Sequence, residues 1–258
     1  MPTARTQTHA LRYAVDGPHD APVLLLSGSL GSRLELWDRV LPHLVADRRV
    51  VRYDTRGHGH STTPPGDWTI ADLAGDVAVV LDELEVDRAD VAGISLGGQT
   101  ALAFALLHPD RTNRLVVANS GARLGTVESW TERAETVRTR GLEAIADAVI
   151  GGWLTPAFAA AHPEVRAELR ADFLANDPAG YAACCMALAH ADLRGRLGEV
   201  AAPTLAIASP DDHGTAPDVL RVIADGVPGA SYAEVPGAHL TCVESPAEFA
   251  AAVLRHLA

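Results

Sequence analysis

The residues best suited to chemistry in this sequence are a serine set between glycines and, far downstream, an aspartate and a histidine. Ser95 stands in Gly93-Ile94-Ser95-Leu96-Gly97. That G-x-S-x-G spacing, between a strand-like run and a helical one, marks a sharp bend that presents a nucleophilic hydroxyl. The glycines have a steric reason, since side chains two residues either side of the serine would collide with the neighbouring strand and helix. A helix opening at Leu96 points free N–H groups at the serine, which suits a developing oxyanion. A serine hydroxyl is a weak nucleophile, so an orienting acid and a base must follow, in the chain order Ser, Asp, His. His239, in Pro236-Gly237-Ala238-His239-Leu240, can be the base. Asp212, in Ser209-Pro210-Asp211-Asp212-His213, can be the acid, with Asp211 competing on spacing alone. A second oxyanion donor is expected in Ser27-Gly28-Ser29-Leu30-Gly31, where the Ser29 N–H would pair with that of Leu96.

Other chemistries find less support. Gly28-x-x-Gly31 lacks the third glycine of a dinucleotide fingerprint and the lysine of a phosphate loop. Arg56-Gly57-His58-Gly59-His60-Ser61 offers two histidines without further ligands nearby, a poor zinc site. This turn is therefore expected to shape one wall of the pocket, and no metal is expected. All 21 basic residues are arginine, so Schiff-base and Ser–Lys mechanisms are excluded. A net charge of −12 repels nucleic acid and anionic membranes alike. Three cysteines, two of them adjacent, suggest neither a disulfide framework nor a zinc ribbon. The first sixteen residues carry no apolar core of a signal peptide, and the expected compartment is the cytoplasm. Trp130 and Trp153 read equally well as packing residues or as an aromatic ceiling over a substrate.

The elements that must position these groups follow a βα rhythm. The chain has 258 residues, 48% hydrophobic and 21% charged, which suits one large α/β domain. Strand-like runs fall at 11–15 (an edge strand), 23–26, 49–53, 90–94, 115–118, 204–208 and 231–235. Helical patterns fall at 34–44, 96–107, 216–223 and 247–257, and after Thr69 as an N-cap. From 121 to 198 the pattern is helical only, at 129–150, 164–175 and 180–191. Strands alternating with crossover helices predict a mostly parallel sheet with helices on both faces. The fold class is thus α/β, with a core of residues 1–120 and 199–258 and a helical lid, 121–198, over the strand ends.

With these pieces in place, the chain resembles the α/β-hydrolase superfamily and, within it, the 3-oxoadipate enol-lactonases, nearly end to end. The resemblance runs through Ser29-Leu30-Gly31 with Trp37-Asp38, the stretch Arg52-Tyr53-Asp54-Thr55-Arg56-Gly57-His58-Gly59-His60-Ser61, and the bend at Ser95. It continues through Ala118-Asn119-Ser120-Gly121-Ala122-Arg123-Leu124-Gly125, Trp153-Leu154-Thr155-Pro156 and Tyr181-Ala182-Ala183-Cys184-Cys185. The bend and the Arg-Gly-His-Gly turn belong to the whole superfamily, whereas the later segments are the specific part. Gly28 stands where related lactonases often have Asn, Leu96 where Met is frequent, and His213-Gly214 where Asp-Pro usually follows the acid.

The resemblance implies a cofactor-free hydrolase that converts an enol-lactone to 3-oxoadipate in aromatic catabolism. It implies Ser95 as nucleophile, Asp212 rather than Asp211 as acid, and His239 as base. Such a substrate carries a carboxylate while the protein carries −12, so an arginine must offset the repulsion, and Arg123 at the opening of the lid is the expected one. The expected partner is a small lactone or ester, bound by a monomer or homodimer. A broad carboxylesterase or perhydrolase on the same triad is the alternative. A small-molecule receptor of the same fold is disfavoured because all three triad positions are occupied.

Overall fold

The structure, a computed structural model, describes residues 2–258. Its strands are β1 (Thr3–Arg5), β2 (Ala10–Asp16), β3 (Val23–Ser27), β4 (Arg49–Tyr53), β5 (Ala89–Ile94), β6 (Thr112–Ala118), β7 (Thr204–Ala208) and β8 (Ser231–Glu234). They form one sheet in the order β1-β2-β4-β3-β5-β6-β7-β8. Pairing is parallel from β4 to β8, while β2 runs antiparallel to both β1 and β4. Every residue of β5 and β7 is buried, which is why neither shows the polar–apolar alternation of a half-exposed strand.

The helices are α1 (Leu41–Leu44), α2 (Ile70–Glu83), α3 (Leu96–Leu107), α4 (Val127–Arg140), α5 (Glu143–Trp153), α6 (Pro156–Ala161), α7 (Pro163–Leu174), α8 (Pro178–His190), α9 (Pro217–Gly226), α10 (Thr241–Glu244) and α11 (Pro246–Leu257). Thr69 caps α2 as its spacing predicts, in a reciprocal box with Asp72. Helix α3 is buried from Leu96 to Leu106, packed against α2, β5 and β6. Side chains sealed in this core, such as Leu73, Leu81 and Phe104, stabilise the fold by about 1.5–3 kcal/mol each. Helices α4 to α8 lie between β6 and β7 in sequence. Among the described residues no helix is long and apolar enough to cross a membrane.

The structure departs from the sequence pattern at several boundaries. Strand β2 is not an edge, because β1 covers it. Helix 34–44 is instead a 3-10 turn (Leu34–Trp37) followed by the short α1, since Pro42 cannot donate to the carbonyl four residues earlier and fits only at a helix start. The 129–150 pattern splits into α4 and α5 at Gly141, whose φ of +75° ends the first helix. Helix α6 has an N-cap and first-turn proline, Thr155-Pro156, ahead of a stretch too short to show periodicity.

Candidate active site

Strand β5 ends at Ile94 and α3 starts at Leu96, so Ser95 alone turns the chain, at φ +58° and ψ −122°. Such a backbone costs a non-glycine residue about 1–3 kcal/mol and needs surroundings that over-determine it. Here the Ser95 N–H donates to the Ala118 carbonyl (3.0 Å), and the Ser95 carbonyl accepts from Gln99 N–H (3.1 Å) and Ser120 Oγ (2.6 Å). A Cβ on Gly93 would lie 2.0 Å from the Gly97 carbonyl oxygen, and one on Gly97 would lie 2.0 Å from that of Ser27. Both contacts are to backbone, so neither can relax cheaply, and the glycines serve the steric purpose their spacing predicts.

The register of β3 on β5, Ser27 opposite Gly93, lays the loop 28–31 beside this bend. The Ser29 carbonyl is held by the N–H and Oγ of Ser32, at 3.1 and 2.8 Å. Gly31, at φ +84°, donates its N–H to His58 Nε2 (2.9 Å), and its carbonyl accepts from Asn176 Nδ2 (2.7 Å). Among the described residues the N–H groups of Ser29 and Leu96 donate to no protein acceptor. One belongs to the loop beside the bend and the other to the residue that follows Ser95.

His58 is therefore not at the cavity wall, as the sequence suggested, but behind the loop that carries one of these donors. Its Nδ1–H donates to the Arg56 carbonyl (3.1 Å), which leaves Nε2 as an acceptor and the ring neutral. The turn is pinned by Arg56, bidentate to buried Asp76 at 2.6 and 2.6 Å. His60 accepts from Arg33 Nη2 (3.0 Å), so both histidines are engaged within the protein. Burial holds the His58 pKa below its ordinary value. Below about pH 6.5 an unfolded His58 takes a proton that the native ring refuses, so stability falls with pH by up to about 1.4 kcal/mol per unit until the native ring also titrates. Urea unfolding between about pH 7.5 and 5 should show a shallower slope for His58→Gln than for the parent. Equal slopes would contradict the buried neutral ring.

Asp212 follows β7 and His239 follows β8, both at the strand ends that carry Ser95. Asp212, 1% exposed, receives five donors. Its Oδ2 accepts from His239 Nδ1 (2.9 Å), from Asn119 Nδ2 (3.0 Å) and from Thr215 Oγ in a short contact. Its Oδ1 accepts from the N–H groups of Gly214 and Thr215, both at 2.9 Å. Burial works to raise its pKa, but His239 and Thr215 outweigh it and hold the carboxyl far below the usual range. A carboxylate only accepts, so His239 carries its proton on Nδ1 and presents a lone pair on Nε2. Asp211 is exposed at the cavity rim, where its N–H donates to the Gly237 carbonyl (3.2 Å).

Ser29, Ser95, Asp212 and His239 line one cavity of about 840 Å³, closed on its other side by α4, α5 and the start of α6. Among the described residues no hydrogen bond joins Ser95 Oγ to His239; bonds of this type tighten when substrate arrives. Trp130 and Trp153 both line the cavity. Trp130 Nε1 donates to the Leu124 carbonyl (2.7 Å), and Trp153 packs edge-on against Phe173 at 5.9 Å. Arg123 corrects the sequence expectation. Its guanidinium is turned to Asp192 at 3.1 Å and is not part of the lining. The cationic side chain at the cavity is Arg133, stacked 4.8 Å over the Trp130 ring. Sequence reasoning also missed the roles of Asn119 and Thr215, whose donors come from the residue after β6 and from the loop after Asp212. Asn119 does carry a structural sign, a left-handed φ of +42° that aims its amide at Asp212.

Comparison with known proteins adds an independent line. The profile of the α/β-hydrolase fold matches residues 21–142. A 3-oxoadipate enol-lactonase of Acinetobacter baylyi is 37% identical over 251 residues, 97% of this chain and 94% of that one. The crystal structure of an enol-lactonase from Burkholderia xenovorans superposes with a TM-score of 0.97 at 39% identity, covering 99% of each chain. A thermophilic esterase from Thermogutta terrifontis superposes at 0.93 with 27% identity, covering 100% of this chain and 98% of its own.

Proposed function

The chain belongs to the α/β-hydrolase family, and from that premise we propose that it opens a small anionic enol-lactone, 3-oxoadipate enol-lactone, to 3-oxoadipate through an acyl-enzyme. The observation that carries this reading is the His239 imidazole, oriented by a five-donor carboxylate in the cavity that also holds a strained serine and Ser29. Its likeness to two enol-lactonases supports the choice of substrate. The helices between β6 and β7 act as a lid on a core of 1–120 and 199–258. Three cysteines, all free and buried, support a reducing cytoplasmic setting.

In this mechanism His239 Nε2 takes the Ser95 proton as Oγ attacks the lactone carbonyl. The oxyanion settles on the Ser29 and Leu96 N–H groups, and collapse expels the enolate, which becomes the ketone on protonation. An enolate leaves more readily than an alkoxide, so proton donation by His239 matters less in ring opening than in deacylation. Water, deprotonated by His239, then releases the acid and restores Ser95. An imidazole base works only when neutral, so a pH–rate profile flat from about pH 5 to 8 would contradict this role.

Arg133 replaces Arg123 as the partner of the substrate carboxylate, because its guanidinium is the one at the cavity. Removing a charge-assisted contact costs about 1.5–3 kcal/mol, so Arg133→Ala should raise KM for the anionic lactone roughly ten-fold or more. Its effect on a neutral p-nitrophenyl ester should be much smaller. Equal losses on both substrates would remove Arg133 from this role.

A carboxylesterase reading has one observation in its favour. The cavity volume, about 840 Å³, is near the top of the range for drug-sized ligands, and the α5–α6 side offers only uncharged groups, among them Ala148, Val149 and Trp153. Comparing kcat/KM for 3-oxoadipate enol-lactone with that for neutral esters, beside a Ser95→Ala control, separates the two. The lactone reading requires the anionic substrate to be preferred.

A further inference from the structure

The loop that carries His239 is anchored at nearly every polar backbone group. The Pro236 carbonyl accepts from Thr241 Oγ (2.9 Å), and that of Gly237 from the Asp211 N–H (3.2 Å). The Ala238 carbonyl accepts from Asn119 Nδ2 (3.4 Å). All of these ties lie within the core. The two N–H groups that flank His239, those of Ala238 and Leu240, are tied differently. Leu240 N–H donates to the Trp153 carbonyl (2.9 Å), at the end of α5. Ala238 N–H donates to Glu244 Oε1 (2.8 Å), on α10.

The Glu244 carboxylate does not stop at Ala238. The same Oε1 accepts from the Thr155 N–H (3.1 Å), and Oε2 accepts from Thr155 Oγ (2.6 Å). Thr155 lines the cavity and caps α6 by accepting from the Phe158 N–H (3.2 Å). One half-buried carboxylate therefore joins the backbone immediately before the imidazole to the cavity wall opposite it. Gly237, at φ +124°, brings the loop in so closely that a Cβ there would meet Glu244 Cβ at 3.3 Å. Nothing in the acid–base chemistry needs Glu244, whose contacts are to Ala238 and Thr155 rather than to the reacting groups.

We propose that Glu244 is a positioning residue: it binds the His239 loop and the Trp153–Thr155 wall into one unit, so that the imidazole keeps its place relative to Ser95 while substrate presses on the wall. The proposal rests on His239 as the base. A displacement of about 1 Å between reacting groups costs on the order of 100-fold in rate, so the tie bears on turnover rather than affinity.

Steady-state kinetics of the full chain on 3-oxoadipate enol-lactone test this, read beside the rate at which a fluorophosphonate labels Ser95. Glu244→Ala should lower kcat about 10- to 100-fold with KM changed less than about three-fold, and slow labelling by a similar factor, because labelling uses the same imidazole. Glu244→Gln keeps a carbonyl oxygen for the Ala238 and Thr155 N–H groups and should restore kcat to within about five-fold of the parent. Should the alanine variant not fold, Glu244→Asp takes its place, since its shorter side chain cannot span both partners. The proposal is overturned if kcat is unchanged in Glu244→Ala, if Glu244→Gln is as slow as Glu244→Ala, or if kcat falls while labelling does not. A His239→Ala control that keeps full turnover and labelling would instead show that the base assignment is wrong, and the proposal falls with it.

Discussion

Replacing Ser95 by alanine should reduce kcat for 3-oxoadipate enol-lactone by at least about 10⁴-fold while KM moves only a few-fold. Oγ makes its essential bond only during the reaction, so binding survives its loss. The proposed mechanism also expects rate above the uncatalysed background to persist, because oxyanion donors polarise the carbonyl whether or not a nucleophile is present. Stability should change little or rise slightly. Ser95 is held at positive φ by the Ala118, Gln99 and Ser120 contacts to its backbone, and alanine keeps all three. A variant that retained a tenth of the parent turnover would remove Ser95 from the chemistry.

Asp212→Asn should be nearly as damaging, with kcat down roughly 10³- to 10⁴-fold in a protein of ordinary fold. The reason is the direction of the surrounding bonds. Gly214 and Thr215 both donate N–H groups to Oδ1, so the amide oxygen must occupy that side. The amide nitrogen then takes the place of Oδ2, where it faces His239 Nδ1 and the Asn119 amide. A donor against Nδ1 forces the imidazole proton onto Nε2, and the ring then offers Ser95 a proton instead of a lone pair. Asp211→Asn should cost less than about ten-fold, since Asp211 lies exposed at the rim. Comparable losses in the two variants would mean that His239 is not oriented through Asp212.

Much of the site was legible because its signals are local. The bend at Ser95 announces itself through two glycines whose missing side chains are required by backbone atoms a few residues away or one strand across. An aspartate at 211 or 212 and a histidine at 239 follow from chain order once the bend is recognised, and Asp212, the one implied by the resemblance, is the one that is buried and bonded to His239. What could not be read were contacts that depend on how distant segments meet. Asn119 reaches Asp212 across 93 positions and Glu244 reaches Thr155 across 89, and neither pairing leaves a periodic trace. The placement of Arg123 away from the cavity was hidden for a related reason. Arg123 and Arg133 both belong to the segment after β6, Arg123 in the loop before α4 and Arg133 on α4, and only their tertiary placement decides which faces the cavity. The spacing of Trp130 and Arg133, three apart on one helix, was a usable sign that they share a face. The fold was clearer than its insertion, since buried parallel strands leave unbroken apolar runs whereas short helices broken by Gly141 and restarted at Pro156 do not.

The proposed reaction depends on the Ser95 hydroxyl being made reactive by the His239 imidazole. Peptide mass spectrometry after exposure to a fluorophosphonate addresses that dependence without assuming any substrate. The expected result is a single adduct on Ser95, formed at least about 100-fold more slowly in His239→Ala. An adduct elsewhere in the chain, or one on Ser95 that forms at the same rate without the imidazole, would contradict it.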